Sequence, residues 1–170
     1  MSLVFLLGGA RSGKSSLALR LAQDAAGPVT FLATGEALDD EMTKRIDRHR
    51  DERPAEWTTI EEPVELVGAI ERVPADETLV VDCLSLWVAN VFERREDVED
   101  VARAAAALAA RRPGLTVAVS NEVGLGVVPA TESGRRYRDV LGRVNALWVD
   151  ASERAFLVVA GRALPLEELH

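Results

Sequence analysis

The stretch LVFLLGGARSGKSS, Leu3 to Ser16, joins an apolar run to a glycine-bounded loop and then to a helical pattern. Within it GGARSGKS, Gly8 to Ser15, fits the spacing G-x-x-x-x-G-K-[ST]. The context that gives the motif meaning is also present, a strand-like run before it and an amphipathic helix after it. The glycines let backbone N–H groups turn inward around phosphate oxygens, and the following helix presents its N-terminus to the anion. The lysine reaches the terminal phosphates and the serine hydroxyl ligates magnesium. Gly8, Gly9, Ala10, Arg11, Ser12, Gly13, Lys14 and Ser15 are therefore the expected nucleotide-binding loop, with Lys14 catalytic and Ser15 a metal ligand.

A loop of this kind follows a buried strand, and four more such runs lie downstream. Val4–Leu7, Val29–Ala33, Leu79–Val81, Thr116–Ser120 and Phe156–Val159 are apolar without strict alternation, as expected of strands covered on both faces. Between them lie helical stripes: Leu17, Leu21 and Ala25; Val98, Val101, Ala105 and Leu108; and Tyr137, Val140, Leu141, Val144, Leu147, Trp148 and Ala151. Alternating strand and helix predicts an α/β fold, a mostly parallel sheet with helices on both faces. Ligands in such folds bind at the carboxyl ends of the strands. The acidic stretch Glu93 to Asp100 is the expected exposed break within a long helical region. At 170 residues and 48% apolar composition, one domain spanning 1–170 is expected.

Charge narrows the partners. Twenty Lys and Arg against twenty-eight Asp and Glu give a net charge of −8, which argues against a nucleic-acid or anionic-membrane binder. Only Lys14 and Lys44 are lysines, so the lysine of the loop stands out. The single cysteine, Cys83, cannot form an intramolecular disulfide and reads as a small buried residue in a reducing compartment. LVFLL is too short for a signal sequence, and no apolar run approaches the roughly 20 residues of a membrane span. A cytoplasmic location is expected.

A metal partner for Ser15 should stand at the end of another buried strand. Asp82, after Leu79, Val80 and Val81, is placed for that role, although an Asp there also serves as a turn or cap residue. Asn121 and Glu122 follow the strand TVAVS and open on the same rim, either orienting a nucleophile or sensing a phosphate, or simply turning the chain before Gly124. There is no N-K-x-D element for reading guanine.

The stretch RIDRHRDERPAEW, Arg45 to Trp57, holds the only histidine inside the chain, His49. Asp39 and Asp40 could cap a helix running to about Asp51, with Pro54 discouraging its continuation. On that helix Met42, Ile46 and His49 share a face, so a packed structural histidine is one reading. The other starts from Arg45, Arg48, Arg50 and Arg53, whose guanidinium density suits polyphosphate. Those cations would lower the imidazole pKa, and a neutral imidazole is a competent nucleophile toward phosphorus.

The residues resemble the bifunctional adenosylcobinamide kinase and adenosylcobinamide-phosphate guanylyltransferase family of cobalamin assembly. The resemblance rests on six ordered blocks: Gly8–Ser15, FLATGEALDDEM at Phe31–Met42, Arg45–Trp57, VVDCLSLWVAN at Val80–Asn90, SNEVGLGVVP at Ser120–Pro129 and RRYRDVLGRVN at Arg135–Asn145. It implies a RecA-like P-loop fold and two reactions. The first phosphorylates the aminopropanol hydroxyl of adenosylcobinamide, with ATP or GTP as donor. The second transfers GMP from GTP onto that phosphate, giving adenosyl-GDP-cobinamide and pyrophosphate. The histidine aligned with His49 carries the guanylyl group in the family. Nucleotide contacts carry over to the loop, to Ala33, Thr34 and Gly35, to Arg50, Asp51, Glu52 and Arg53, and to Glu61 and Asp82. Some relatives have Glu at the position of Asp82, and Arg48 replaces a histidine found in relatives. The resemblance also implies a magnesium requirement, a corrinoid substrate and a trimeric homo-oligomer. Two other readings of the loop itself are a small-molecule kinase without nucleotidyl transfer and a nucleotide-sensing module.

Overall fold

Each of the five apolar runs forms a strand in the computed structural model, which describes residues 2–36, 50 and 53–168. They are β1 (Ser2–Gly8), β2 (Val29–Ala33), β4 (Thr78–Asp82), β5 (Leu115–Asn121) and β6 (Arg154–Val159). Two further strands, β3 (Thr58–Glu61) and β7 (Arg162–Pro165), complete one sheet in the order β3-β2-β4-β5-β1-β6-β7. Every pairing is parallel except β6 with β7.

The unbroken apolar character of the central strands follows from burial on both sides. Leu3, Phe5 and Leu7 of β1 point into one cluster, while Val4 and Leu6 point into the other. Each fully buried side chain of this size contributes about 1.5–3 kcal/mol, so neither face tolerates a polar alternation. The described helices are α1 (Lys14–Asp24), α2 (Leu66–Glu71), α3 (Leu84–Val91), α4 (Val98–Arg111) and α5 (Glu132–Ala151). Helices α2 to α5 build the larger cluster around Trp87 and Trp148, and α1 covers the smaller one.

The helical stripes hold with one shift. In α1 the residues driven fully inward are Ala18 and Ala22, while Leu17, Leu19 and Leu21 pack at the flanks. Small residues let the helix sit close on the sheet, and the leucines then spread over the strands to either side. In α4 Ala102, Ala105, Ala106 and Ala109 play the same part, with Val101 and Leu108 partly buried. The long stripe of α5 packs as expected. The acidic stretch does interrupt the helical region, since α3 ends at Val91 and α4 starts at Val98 with Glu93, Arg94 and Glu96 exposed between them.

The sequence reading missed β3 and β7, both at sheet edges. The residues TTIE and RALP carry no apolar run because an edge strand has one neighbour and little to bury. Strand β7 returns through a two-residue turn at Ala160 and Gly161, both with positive φ (49° and 73°), the backbone that tight hairpins require.

Candidate functional site

The loop from Gly8 to Lys14 leaves the carboxyl end of β1 and turns directly into α1. Two of its glycines, Gly8 and Gly13, are required by the backbone. A Cβ at Gly8 would lie 2.4 Å from the Val158 carbonyl oxygen and 2.8 Å from Ser12 Oγ, and Gly13 sits at φ +98°. Ser12 N–H donates to Gly9 O at 3.4 Å, and Leu17 N–H donates to Gly13 O at 3.0 Å, starting α1. The Lys14 side chain is buried and folds its ammonium back over the loop to donate to Gly9 O at 2.9 Å. Ser12 is also buried, and its Oγ has no partner among the described residues. A buried hydroxyl and a buried ammonium within one anion-shaped loop are the groups that phosphate oxygens satisfy. The loop is braced from the far side: Gly161 N–H, at the hairpin tip, donates to Ser12 O at 2.8 Å.

A second group gathers on the same rim. Register places Glu61 of β3, Ala33 of β2 and Asp82 of β4 side by side at the ends of their strands. Strand β5 separates β4 from β1, so Asp82 stands two strand spacings, about 10 Å, from the root of the phosphate loop. Thr34 clasps this corner. Its buried hydroxyl donates to Cys83 O at 2.6 Å and accepts from Cys83 N–H at 3.0 Å, and Asn90 Nδ2 donates to Thr34 O at 2.8 Å. Burial, and then the charge of Asp82, push the Cys83 thiol up to about 11, with Lys14 opposing. The loop lysine and the end of β4 therefore share one electrostatic field. Cys83 is free and buried, as expected.

Two of the four arginines near His49 are among the described residues, and both reach this corner. Arg50 pairs with Glu61. The Arg53 guanidinium stacks over the Phe31 ring at 3.7 Å and donates to Thr59 Oγ1 at 3.3 Å. Burial lowers the Arg53 pKa, with the negative charge of Asp82 acting against it. The structure thus brings Ala33, Thr34, Arg50, Arg53, Glu61 and Asp82 together beside the loop, with Gly35 immediately following Thr34. His49, Asp51, Glu52, Arg45 and Arg48, with all of the helix expected from Asp39 to Asp51 except Arg50, lie outside the described residues.

Asn121 ends β5 opposite Gly8, and Glu122 follows it on the same rim. Glu122 N–H donates to Gly8 O at 3.1 Å, its carboxylate accepts from Gly124 N–H, and Asn121 O accepts from Asn145 Nδ2 at 3.1 Å. Sequence reasoning missed Phe31 as the platform for Arg53, Asn90 as the strut under Thr34, and Gly161 as the brace of the loop. Phe31 and Asn90 fall inside the quoted blocks, while Gly161 carried only the signal of an Ala-Gly turn.

A phosphate-cradling loop at the end of β1, an acidic residue two strands away and a parallel sheet with helices on both faces define a nucleotide-binding protein of the RecA-like P-loop class. A solved ATPase from the type III secretion system of pathogenic bacteria has this fold, with a TM-score of 0.51 at 12% identity over 92% of this chain and 50% of that longer one. A family model described as cobinamide kinase / cobinamide phosphate guanyltransferase matches residues 4–166. The bifunctional adenosylcobalamin biosynthesis protein CobP of Pseudomonas aeruginosa is 42% identical over 95% of both chains. The CobU proteins of Salmonella typhimurium and Escherichia coli are 34% and 35% identical over 94% of this chain and 96% of theirs. The chain belongs to this cobinamide kinase and cobinamide phosphate guanylyltransferase family. It is a bifunctional enzyme of cobalamin biosynthesis whose substrates are corrinoids and nucleoside triphosphates. No helix among the described residues is long and apolar enough to cross a membrane.

Proposed function

We propose that both reactions run on one rim, with the phosphate loop common to them and His49 used only for nucleotidyl transfer. In the kinase step the loop N–H groups and Lys14 hold the terminal phosphates of ATP or GTP. The aminopropanol hydroxyl of adenosylcobinamide attacks the γ-phosphorus and gives up its proton to solvent, the bond to the β,γ-bridging oxygen breaks, and nucleoside diphosphate leaves. In the transfer step a His49 nitrogen attacks the α-phosphorus of GTP and pyrophosphate leaves, its charge met by Lys14 and the arginines. A phosphate oxygen of adenosylcobinamide phosphate then attacks the guanylyl phosphorus. The P–N bond breaks, the free imidazole returns, and adenosyl-GDP-cobinamide is released.

The observation that carries this reading is the seating of Arg50 and Arg53 beside Glu61 and Asp82, because Arg50 is the next residue in the chain after His49. Ala33, Thr34, Gly35, Asp51 and Glu52 complete the nucleotide contacts that the family implies. Ser15 and Asp82 offer hard oxygen donors of the kind magnesium takes. Bound there, magnesium would offset phosphate charge. We further propose that residues 1–170 act as a single nucleotide-binding domain in a cytoplasmic trimer that binds no nucleic acid, the last in keeping with the net charge of −8.

The test is incubation with magnesium and GTP labelled at the α-phosphate, without corrinoid, followed by denaturing electrophoresis of wild type and His49→Ala. Label on the wild type alone, lost in acid and kept in base, is the expected phosphoramidate. A folded, GTP-binding wild type that takes up no label refutes the carrier, and a His49→Ala protein that loses kinase and transferase equally refutes the division of labour.

A further inference from the structure

A run of apolar side chains stands in solvent on the loop that joins β5 to α5. Leu125, Val127 and Val128 are 83%, 94% and 63% exposed, and with Val123 they make up four of the seven large apolar side chains exposed among the described residues. The nine residues from Val123 to Thr131 carry no charge, in a chain that is 28% charged. Single exposed leucines and valines are ordinary, but a contiguous run of them marks a surface that is covered in use.

Both ends of this loop are pinned, and its apolar middle projects between them. At the first end Glu122 N–H donates to Gly8 O at 3.1 Å, and the Glu122 carboxylate accepts from Gly124 N–H. At the other the Arg135 guanidinium donates to the carbonyls of Pro129 and Ala130 at 3.0 and 2.9 Å, and the Thr131 hydroxyl caps α5 by accepting from Gly134 N–H at 3.1 Å. Gly126, in the middle, is required by neither packing nor backbone: a Cβ there would meet nothing within 4 Å, and its φ lies outside the left-handed range. Its bare backbone clears space on the solvent side.

The loop starts where the acceptor has to arrive. Strand β5 lies between β1 and β4, and Asn121 at its end is opposite Gly8, so the loop leaves the sheet one strand spacing, about 5 Å, from the root of the phosphate loop. Asp82 pairs with Val119, two residues before that end, so β5 overtops β4 by about 7 Å. The apolar run therefore rises between the phosphate loop and Asp82.

Of the substrates, the corrinoid is the one whose surface matches. Its ring is broad and edged with methyl groups and neutral amide arms, which an uncharged apolar loop covers well, whereas a nucleotide or an acidic surface needs cations that this loop lacks. In both reactions the same aminopropanol arm reacts, first through its hydroxyl and then through its phosphate. One ring position within that arm's reach of the phosphate loop therefore serves both. We infer that the loop from Val123 to Pro129 seats the corrin ring in both reactions, with Leu125, Val127 and Val128 packed on its methyl-bearing edge. This rests on the reading that the phosphate loop is common to the two reactions.

Because these side chains are exposed, polar replacement spares the fold and the test reads binding. Leu125→Ser/Val127→Ser/Val128→Ser is compared with wild type by equilibrium dialysis against adenosylcobinamide and against adenosylcobinamide phosphate, each read by its visible absorbance. Dissociation constants for both corrinoids should rise about tenfold or more, while GTP affinity and guanylyl labelling without corrinoid hold within about twofold. Leu125→Met/Val127→Ile/Val128→Ile, which keeps the surface apolar, should hold both corrinoid constants within about threefold. Unchanged corrinoid binding in the serine variant, a rise for one corrinoid only, an equal fall in GTP affinity, or the same loss in the apolar variant overturns the seat. So does a serine variant that loses its oligomeric state in sedimentation velocity along with corrinoid binding, since the loop is then an interface between copies of the chain. Kinetics of Lys14→Ala test the shared phosphate loop separately: retention of either activity removes that reading and leaves the dialysis result standing, whereas loss of both with corrinoid constants unmoved in the serine variant removes the seat alone.

Discussion

Replacing Thr34 by Val tests how the acidic corner is held. The two side chains have nearly the same shape, so the change removes one hydroxyl and little else. That hydroxyl is buried and bonds both the N–H and the carbonyl of Cys83, the residue after Asp82. The two losses are unequal. The Cys83 carbonyl keeps a second partner in Trp87 N–H at 3.2 Å, whereas no other bond to the Cys83 N–H is seen among the described residues. An orphaned buried N–H costs about 1–3 kcal/mol and the lost bond to a still-satisfied carbonyl about 1 kcal/mol, so the expected destabilisation is about 2–4 kcal/mol. Thr34→Ser keeps both bonds and loses one buried methyl, about 1 kcal/mol. Urea denaturation followed by far-UV circular dichroism, with an unchanged m value, measures the difference. Kinase assays on the folded variants should rank wild type above Ser above Val in kcat, because Asp82 moves with Cys83. If Thr34→Val is as stable as Thr34→Ser, the clasp contributes nothing and the account of this corner fails.

Other changes probe the loop, the frame and the acid response. Gly8→Ala should weaken ATP binding by about tenfold or more, since its Cβ would fall 2.4 Å from the Val158 carbonyl oxygen and one backbone must move; equilibrium binding with a fluorescent nucleotide analogue checks it, and wild-type affinity would refute it. Arg112, buried and donating to the carbonyls of Val73, Pro74 and Glu77, ties the end of α4 to the turn before β4. Arg112→Met should cost about 3 kcal/mol by denaturation while leaving KM for ATP unchanged, and a loss below about 1 kcal/mol would contradict the tie. The Glu62 carboxylate accepts from the N–H groups of Glu65 and Val64 at 3.0 and 3.1 Å, and the first of these bonds is the main reason its pKa is lowered. A lowered folded pKa contributes stability above the unfolded value near 4.3 that is lost as pH falls through the folded value. Wild type should therefore exceed Glu62→Gln in stability at pH 7, and the gap should close below about pH 4; a gap independent of pH would refute the assignment.

The sequence disclosed those parts of the molecule in which spacing along the chain carries the chemistry. GGARSGKS is legible because its signal lies in eight consecutive residues, and β1 is legible because both its faces are buried. Strands β3 and β7 were not, since TTIE and RALP owe their pairing to neighbours and not to their own hydrophobicity. The α1 stripe was read one residue off because apolarity marks Leu17 and Leu21, whereas closeness to the sheet selects Ala18 and Ala22. At the site, Asp82, Glu61 and the arginines could be named but not joined. That Arg53 lies on Phe31, twenty-two positions earlier (53 − 31 = 22), depends on β2 and β3 lying side by side. The bond from Gly124 N–H to the Glu122 carboxylate likewise belongs to the folded turn and has no mark in the spacing.

The position of β1 between β5 and β6 has a consequence for synthesis on the ribosome. The strand that bears the nucleotide loop emerges well before both its sheet neighbours, the nearer in sequence starting at Leu115. At roughly 5–20 residues per second, on the order of ten seconds pass before β1 has any strand to pair with. A nascent chain thus carries LVFLL unpaired throughout that interval, and the step that closes the sheet around it also encloses the nucleotide site. Chaperone dependence of the newly made protein should accordingly track the interval between residues 8 and 115, and slowing translation within it should lower the yield of active enzyme more than slowing it after residue 121.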